Sequence, residues 1–250
     1  MSRPRLLVLA PLALLMLASL LATSDPPPAP AVFRIQPVRP VEELRQFAAK
    51  EQPPRETGSF LPFDLIELRG LDLLFRFDIR YATANNFLGT PLYTMARASL
   101  QRSAAEALER AHLRLQQQGY GLLIHDGYRP WSVTWIFWHA TPPDKHRFVA
   151  NPATGSRHNR GCAVDVTLYD LRTGLPADMP SLYDEMTERA SPKYQGGTEE
   201  QRRLRDKLRA AMEAEGFTVD SNEWWHFDYK YWRRYQIGNV PIDSAAGPKP

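Results

Sequence analysis

Apolar residues recur at helical spacing in two long stretches. Leu100, Ala104, Leu108, Ala111 and Leu115 advance in steps of three or four and stop ahead of Gly119. That pattern predicts an amphipathic helix with one buried face. Leu204, Leu208, Ala211 and Met212 repeat it over 198–215, closed by Gly216. A third helix is expected from Pro130, carrying Trp131, Trp135 and Trp138 as core aromatics. Strand-like runs fall at 73–79, 120–124, 162–168 and 223–229. These strands and helices do not alternate as regular βαβ units. The expected class is therefore α+β, with helices packed on a largely antiparallel sheet.

Composition narrows this reading only at the ends. Charged residues make up 24% and hydrophobic ones 43%, ordinary globular values that exclude collagen-like, coiled-coil and wholly disordered chains. Nine of the 22 prolines lie between Pro26 and Pro62, so residues 25–60 are expected to form an extended, loop-rich segment ahead of the packed core. Residues 1–24 hold Arg3 and Arg5, an apolar run from Leu6 to Ala22, no acid and a small-residue end at Ala22-Thr23-Ser24. This is the layout of a secretory signal peptide cleaved after Ser24. A retained anchor is the alternative, and a lipid-modified Cys is excluded because the segment has none. The chain is thus expected to be exported, to the periplasm or outside the cell. Its formal charge of +3 falls to +1 without that segment, which gives no support for a nucleic-acid or membrane-surface partner. The sole cysteine, Cys162, forbids an intrachain disulfide. Residues 241–250 read as a flexible tail.

The candidate chemistry lies in two segments. In Ser156-Arg157-His158-Asn159-Arg160-Gly161-Cys162-Ala163-Val164-Asp165-Val166, an acid interrupts an apolar strand, which is costly unless it is paired or binds a metal. In Glu223-Trp224-Trp225-His226-Phe227-Asp228-Tyr229, an acid and a histidine stand among aromatics. Two imidazoles and one carboxylate with an open fourth position make a catalytic zinc site. His158, Asp165 and His226 would be the ligands, and Glu223 would be free to take a proton from water. Positions 223 and 226 of a regular strand face opposite ways, so Glu223 must precede the strand or the strand must bulge. Pairing of Asp165 with Arg160 is the plain structural alternative. His112, His125, His139 and His146 lack such neighbours, and His112 is expected to be solvated on a helix flank.

Taken together, these segments resemble the zinc D-alanyl-D-alanine dipeptidases, relatives of the D,D-carboxypeptidases and of the hedgehog-type zinc core. His158-x-x-Gly161-x-Ala163-x-Asp165 and Glu223-Trp224-Trp225-His226 carry the resemblance. Further matches are Asp78-Ile79-Arg80-Tyr81-Ala82-Thr83 with Asn85-Asn86-Phe87, and Asp126-Gly127-Tyr128-Arg129-Pro130. Met179-Pro180-Ser181-Leu182-Tyr183-Asp184 is similar to the family's MG-x-x-FD loop, with Pro180 for the Gly and Tyr183 for the Phe. The likeness runs from about residue 61 to 235, within a domain spanning 61–240, and residues 25–60 have no counterpart.

The resemblance implies one Zn²⁺ per chain on His158, Asp165 and His226. It further implies Glu223 as general base and proton donor, and Arg129 as donor to the scissile carbonyl oxygen. An Arg129–Asp126 pair is the structural alternative for that arginine. Asp184 would bind the substrate ammonium, with Tyr81 and Ser156 helping to hold the dipeptide ends. Asp184 could instead cap a helix starting near Glu185. Cys162 stands where the family has a small residue, either near enough to bind the metal or as a small buried side chain. The expected activity is hydrolysis of free D-Ala-D-Ala. A D,D-carboxypeptidase or endopeptidase acting on peptidoglycan stems is the nearest alternative, and a non-catalytic wall-binding module with structural zinc is the alternative from another class. Oligomeric state is not legible.

Overall fold

The computed structural model describes residues 32–245, so the predicted signal segment, the polyproline run that follows it and the last five residues lie outside the described residues. The predicted proline-rich segment is not wholly extended. It contains helix α1, Val41–Ala48, which starts behind Pro40, carries Glu42 and Glu43 in its first turn, and buries Leu44 and Ala48. A charged first turn after a proline favours helix nucleation there.

Strand β1 (Leu65–Glu67) leads to β2 (Arg76–Phe77) and β3 (Ser99–Gln101). Most of the expected 73–79 strand is lost, because Asp72 accepts a hydrogen bond from Leu74 N through its side chain and one from Phe75 N through its carbonyl. The turn this builds competes with ladder pairing and leaves Leu73 fully exposed. Helix α2 covers Arg102–Gln116. Leu100 precedes it and is buried in the β1–β3 pair. Strand β4 (Tyr120–Asp126), helix α3 (Trp131–Ala140), strand β5 (Ala163–Asp170), helix α4 (Glu199–Ala214), and strands β6 (Phe217–Val219) and β7 (His226–Tyr229) complete the order. Helix α4 starts with a capping box between Thr198 and Gln201, which satisfies two of its free N-terminal donors.

The main sheet runs β2-β4-β5-β7-β6. Its β2–β4 pairing is parallel and the other three are antiparallel, as the α+β expectation requires. Helices α2 and α4 pack on each other and on this sheet, burying Leu108, Leu115, Leu204, Leu208 and Met212. Burial at this scale is the main favourable contribution to folding, at about 25 cal/mol per Å² of apolar surface. His112 is not solvated. It is fully buried in α2 and stacks on Phe75 at 4.5 Å, and burial lowers its pKa so that it sits neutral in the core. Ile242, in the predicted tail, is also buried. Among the described residues no helix is long and apolar enough to cross a membrane.

Candidate active site and metal centre

The sheet register gathers the chemistry at one end. Asp165, near the start of β5, lies opposite His226 on β7 and opposite Asp126 on β4. A register shift between Ile124 and Asp126 makes the second pairing possible. His158 reaches the same point from a short 3₁₀ turn, His158–Arg160. The chain enters β5 from that turn through Gly161, held at φ +66° with Leu65 packed so close that a Cβ would stand 2.5 Å from it. Only glycine adopts that conformation without strain. Two hydrogen bonds lock this turn to the loop before α3: Arg129 N donates to His158 O at 3.1 Å, and Asn159 Nδ2 donates to Arg129 O at 2.9 Å. Glu223 lies in the turn before β7, where its carbonyl accepts from His226 N, so the geometric conflict posed by a continuous strand does not arise.

The histidine tautomers follow from their outer partners. His158 Nδ1 donates to Gly127 O at 2.6 Å, and His226 Nε2 donates to Asp228 Oδ1 at 2.9 Å. A side chain at Gly127 would meet Ser99 O at 2.8 Å, so the backbone can approach this closely only as glycine. The remaining nitrogens, His158 Nε2 and His226 Nδ1, carry lone pairs and face one another at 3.1 Å. Asp165 Oδ1 stands 3.2 Å from the first and 3.0 Å from the second. Three converging acceptors repel unless positive charge sits among them. Ligand atoms around a tetrahedral zinc lie about 3.3 Å apart, from bond lengths near 2.0–2.1 Å. The donor set therefore fits such an ion in number, chemistry and spacing. Both histidines are also held from behind, as metal ligands usually are.

The electrostatics agree with that fit. Burial works against charge on Asp165, but His158 and His226 hold its carboxyl well below the usual range. Burial likewise opposes a charged His226, yet Asp228 and Asp165 pull its proton affinity well up. Arg160 is not the partner of Asp165; it pairs with Glu56 at 2.6 Å. Cys162 stands outside the ligand set as a small buried residue, and burial pushes its thiol up to about 12.

A cavity of about 230 Å³ opens onto the three ligands. Its wall brings together all eight residues singled out from the sequence: Tyr81, Arg129, Ser156, His158, Asp165, Asp184, Glu223 and His226. Glu223 Oε2 lies 4.0 Å from His226 Nδ1, and burial holds its carboxyl well above the usual range even though His226 pulls it down. Arg129 donates from Nε and a terminal nitrogen to Asp126 Oδ2 at 2.9 and 2.8 Å. Its guanidinium rests over Phe137 at 4.8 Å and Tyr81 at 5.2 Å. The pair with Asp126 thus exists, but it orients a guanidinium that still faces the cavity. Burial works against the charge on Arg129, but Asp126 beside it more than offsets this and holds its proton affinity up.

Asp184 caps no helix. It holds φ +61°, a conformation Asp tolerates better than most residues, and Tyr81 donates to both its oxygens at 2.9 and 3.1 Å. Burial, with Asp165 nearby, pushes the Asp184 carboxyl up to about 8. Ser156 Oγ accepts from His158 N at 3.2 Å, so it braces the ligand turn from the cavity wall. The sequence reading passed over Tyr93, whose hydroxyl donates to Asp126 Oδ1 at 2.7 Å. It also passed over the outer roles of Asp228 and Gly127. Only the position of Asp228, two residues after His226, carried any signal for them.

The D-ala-D-ala dipeptidase family profile, peptidase family M15, matches residues 63–235. The chain belongs to this family. It is similar to the D-alanyl-D-alanine dipeptidase of Escherichia coli, at 36% identity over 168 residues that span 66% of this chain and 86% of that protein. The Enterococcus faecalis and Streptomyces coelicolor proteins of the same name are 37% and 35% identical over 170 and 173 residues. Those alignments cover 61% and 62% of this chain and 84% and 86% of the relatives. Within the D-Ala-D-Ala dipeptidase family the chain is an enzyme of the hydrolase class. The match begins after α1, and the residues before it pack on the matched region, with Ile35 N donating to Phe87 O and Glu56 paired with Arg160.

Proposed function

We propose that this chain is an exported zinc dipeptidase that hydrolyses free D-Ala-D-Ala to two D-alanines. The observation that carries the reading is the cavity itself: a three-ligand cluster, a carboxyl base, a guanidinium and a buried acid converge on one small space. His158, Asp165 and His226 would hold a zinc ion, which would supply the charge that acidifies a water and polarises a carbonyl. Glu223 accepts the proton of the attacking water and passes it to the leaving amine. Arg129 donates to the carbonyl oxygen as negative charge develops there, and its orientation is fixed beforehand by Asp126. Asp184 and the Tyr81 oxygen accept from the substrate ammonium. Because Tyr81 spends its own proton on Asp184, its oxygen is left as an acceptor. The apolar walls Phe87, Phe137 and Met186 suit methyl side chains and exclude water.

Export rests on the layout of residues 1–24 and predicts a mature N-terminus near Asp25, read by mass spectrometry of the secreted protein. The activity is tested with D-Ala-D-Ala, a chelator and added zinc. The expected result is one zinc per chain, loss of turnover on chelation and its return with Zn²⁺. Full turnover in metal-free protein refutes the assignment. Cleavage of stem pentapeptides as efficient as that of the free dipeptide moves the protein to the carboxypeptidases.

A further inference from the structure

We propose that Tyr183 is a positioning residue for the metal centre, its hydroxyl fixing which oxygen of Asp165 faces the ion and keeping Arg129 free for substrate. The inference rests on the zinc reading above and deepens it. Tyr183 is buried and is not among the residues that wall the cavity, so it acts only through others. Its ring packs between Trp225 at 5.5 Å and His125 at 4.5 Å. Its hydroxyl stands 2.8 Å from Asp165 Oδ2 and 3.3 Å from the Tyr81 hydroxyl. Tyr81 has given its proton to Asp184, and a carboxylate is the stronger acceptor. The Tyr183 proton therefore goes to Oδ2.

That bond has two consequences. Oδ1, the atom facing His158 and His226, is selected as the ligand because Oδ2 is occupied. Oδ2 also has a rival donor: the Arg129 guanidinium lies 3.6 Å away. Without the phenol, Oδ2 would draw the guanidinium off Asp126 and away from the substrate carbonyl.

The test is Tyr183→Phe in the full chain, which removes one oxygen and keeps the packing. Zinc affinity is read by competition with a chromophoric chelator, alongside kcat and KM for D-Ala-D-Ala at saturating zinc. Loss of an outer partner of a ligand typically weakens metal binding about 10–100-fold, so the dissociation constant should rise at least about tenfold. Saturated kcat should fall while KM moves less than about twofold, because Tyr81 keeps its hydrogen bonds to Asp184. Tyr81→Phe supplies the contrast: it should raise KM through Asp184 and leave zinc affinity within about twofold. A purely structural Tyr183 would lower the melting temperature of the metal-free protein without moving zinc affinity. Native-like zinc affinity in Tyr183→Phe overturns the inference alone. Equal zinc loss in both variants also overturns it, by making the effect general to the phenol pair. Absence of zinc binding in the native chain overturns the zinc reading itself.

Discussion

Replacing Glu56 by Ala should destabilise the catalytic domain, although Glu56 lies outside the stretch shared with the dipeptidase family. One Glu56 oxygen accepts from the Arg160 guanidinium at 2.6 Å and the other from Ile237 N at 2.7 Å. Arg160 sits in the His158 turn with its side chain only 7% exposed. Its other partners are Tyr235 O and the face of Trp232. The substitution therefore strands a cation that has a carbonyl and a ring but no anion. Breaking a buried pair in this way costs about 3–5 kcal/mol. Glu56 itself is 21% exposed, so water will partly take its place, and about 3 kcal/mol is the appropriate figure. For a domain of this size each kcal/mol moves the melting temperature by about 2–4 °C, giving a fall of about 6–12 °C. Bound zinc would mask part of this, so native and variant proteins are compared metal-free. Glu56→Gln keeps one of the two acceptor contacts, since only one oxygen remains, and should lose less. A melting temperature for Glu56→Ala within about 2 °C of native would show that the Arg160 pair contributes nothing net.

Four further outcomes are expected. Glu223→Gln should keep its zinc and lose at least about 10²-fold in kcat, the usual scale for a general base; zinc loss, read by elemental analysis, would instead make Glu223 a ligand. N-acetylation of D-Ala-D-Ala should cost about 10²–10⁴ in kcat/KM by leaving Asp184 unpaired, and Asp184→Ala should shrink that preference; equal rates for both substrates would remove the ammonium role. The Asp184 carboxyl is pushed up to about 8 in the folded chain but titrates near its ordinary value of about 4 when unfolded. The folded state therefore holds a proton that the unfolded chain has released, and stability falls as pH rises between those values. Metal-free Asp184→Asn should accordingly be more stable than native at pH 9, with the gap closing by about pH 4, as thermal melts across that range would reveal. Asp126→Ala should lower kcat about 10–100-fold with KM nearly unchanged, because it releases the arginine that meets developing charge; an unchanged kcat would mean that Arg129 needs no partner to aim it.

Periodicity carried the fold where burial is one-sided or complete. The stripes of α2 and α4 and the apolar runs of β4 and β5 were legible because their burial comes from spacing alone. Short-range chemistry that competes with spacing was not. Leu100 continues the α2 stripe in sequence, yet it belongs to β3, since pairing with β1 buries it equally well. The apolar character of 73–79 suggested a strand, but one side chain, Asp72, diverts the backbone into a turn. Helix α1 was hidden by prolines that flank it without interrupting it.

The site divides along a similar line. Its candidate ligands and base could be picked out because a charged or imidazole group in an apolar run needs a reason to be there. Their supports could not, since Gly127 O, Asp228 and Tyr183 acquire roles only through the register of β4, β5 and β7. Asp184 shows why the difference is physical. A polar residue ahead of Glu185 is what a helix cap looks like, and local sequence holds nothing against it. What decides is a hydroxyl from Tyr81, 103 residues away, together with a backbone held at φ +61°. A cap would leave the carboxylate turned to the backbone amides of its own helix. Here no helix follows, and the fold holds a positive φ and a buried acid of raised proton affinity to keep that carboxyl in the cavity. Strain and burial of this kind persist only where the surroundings enforce them, and a substrate ammonium is the partner beside which this acid would ionise.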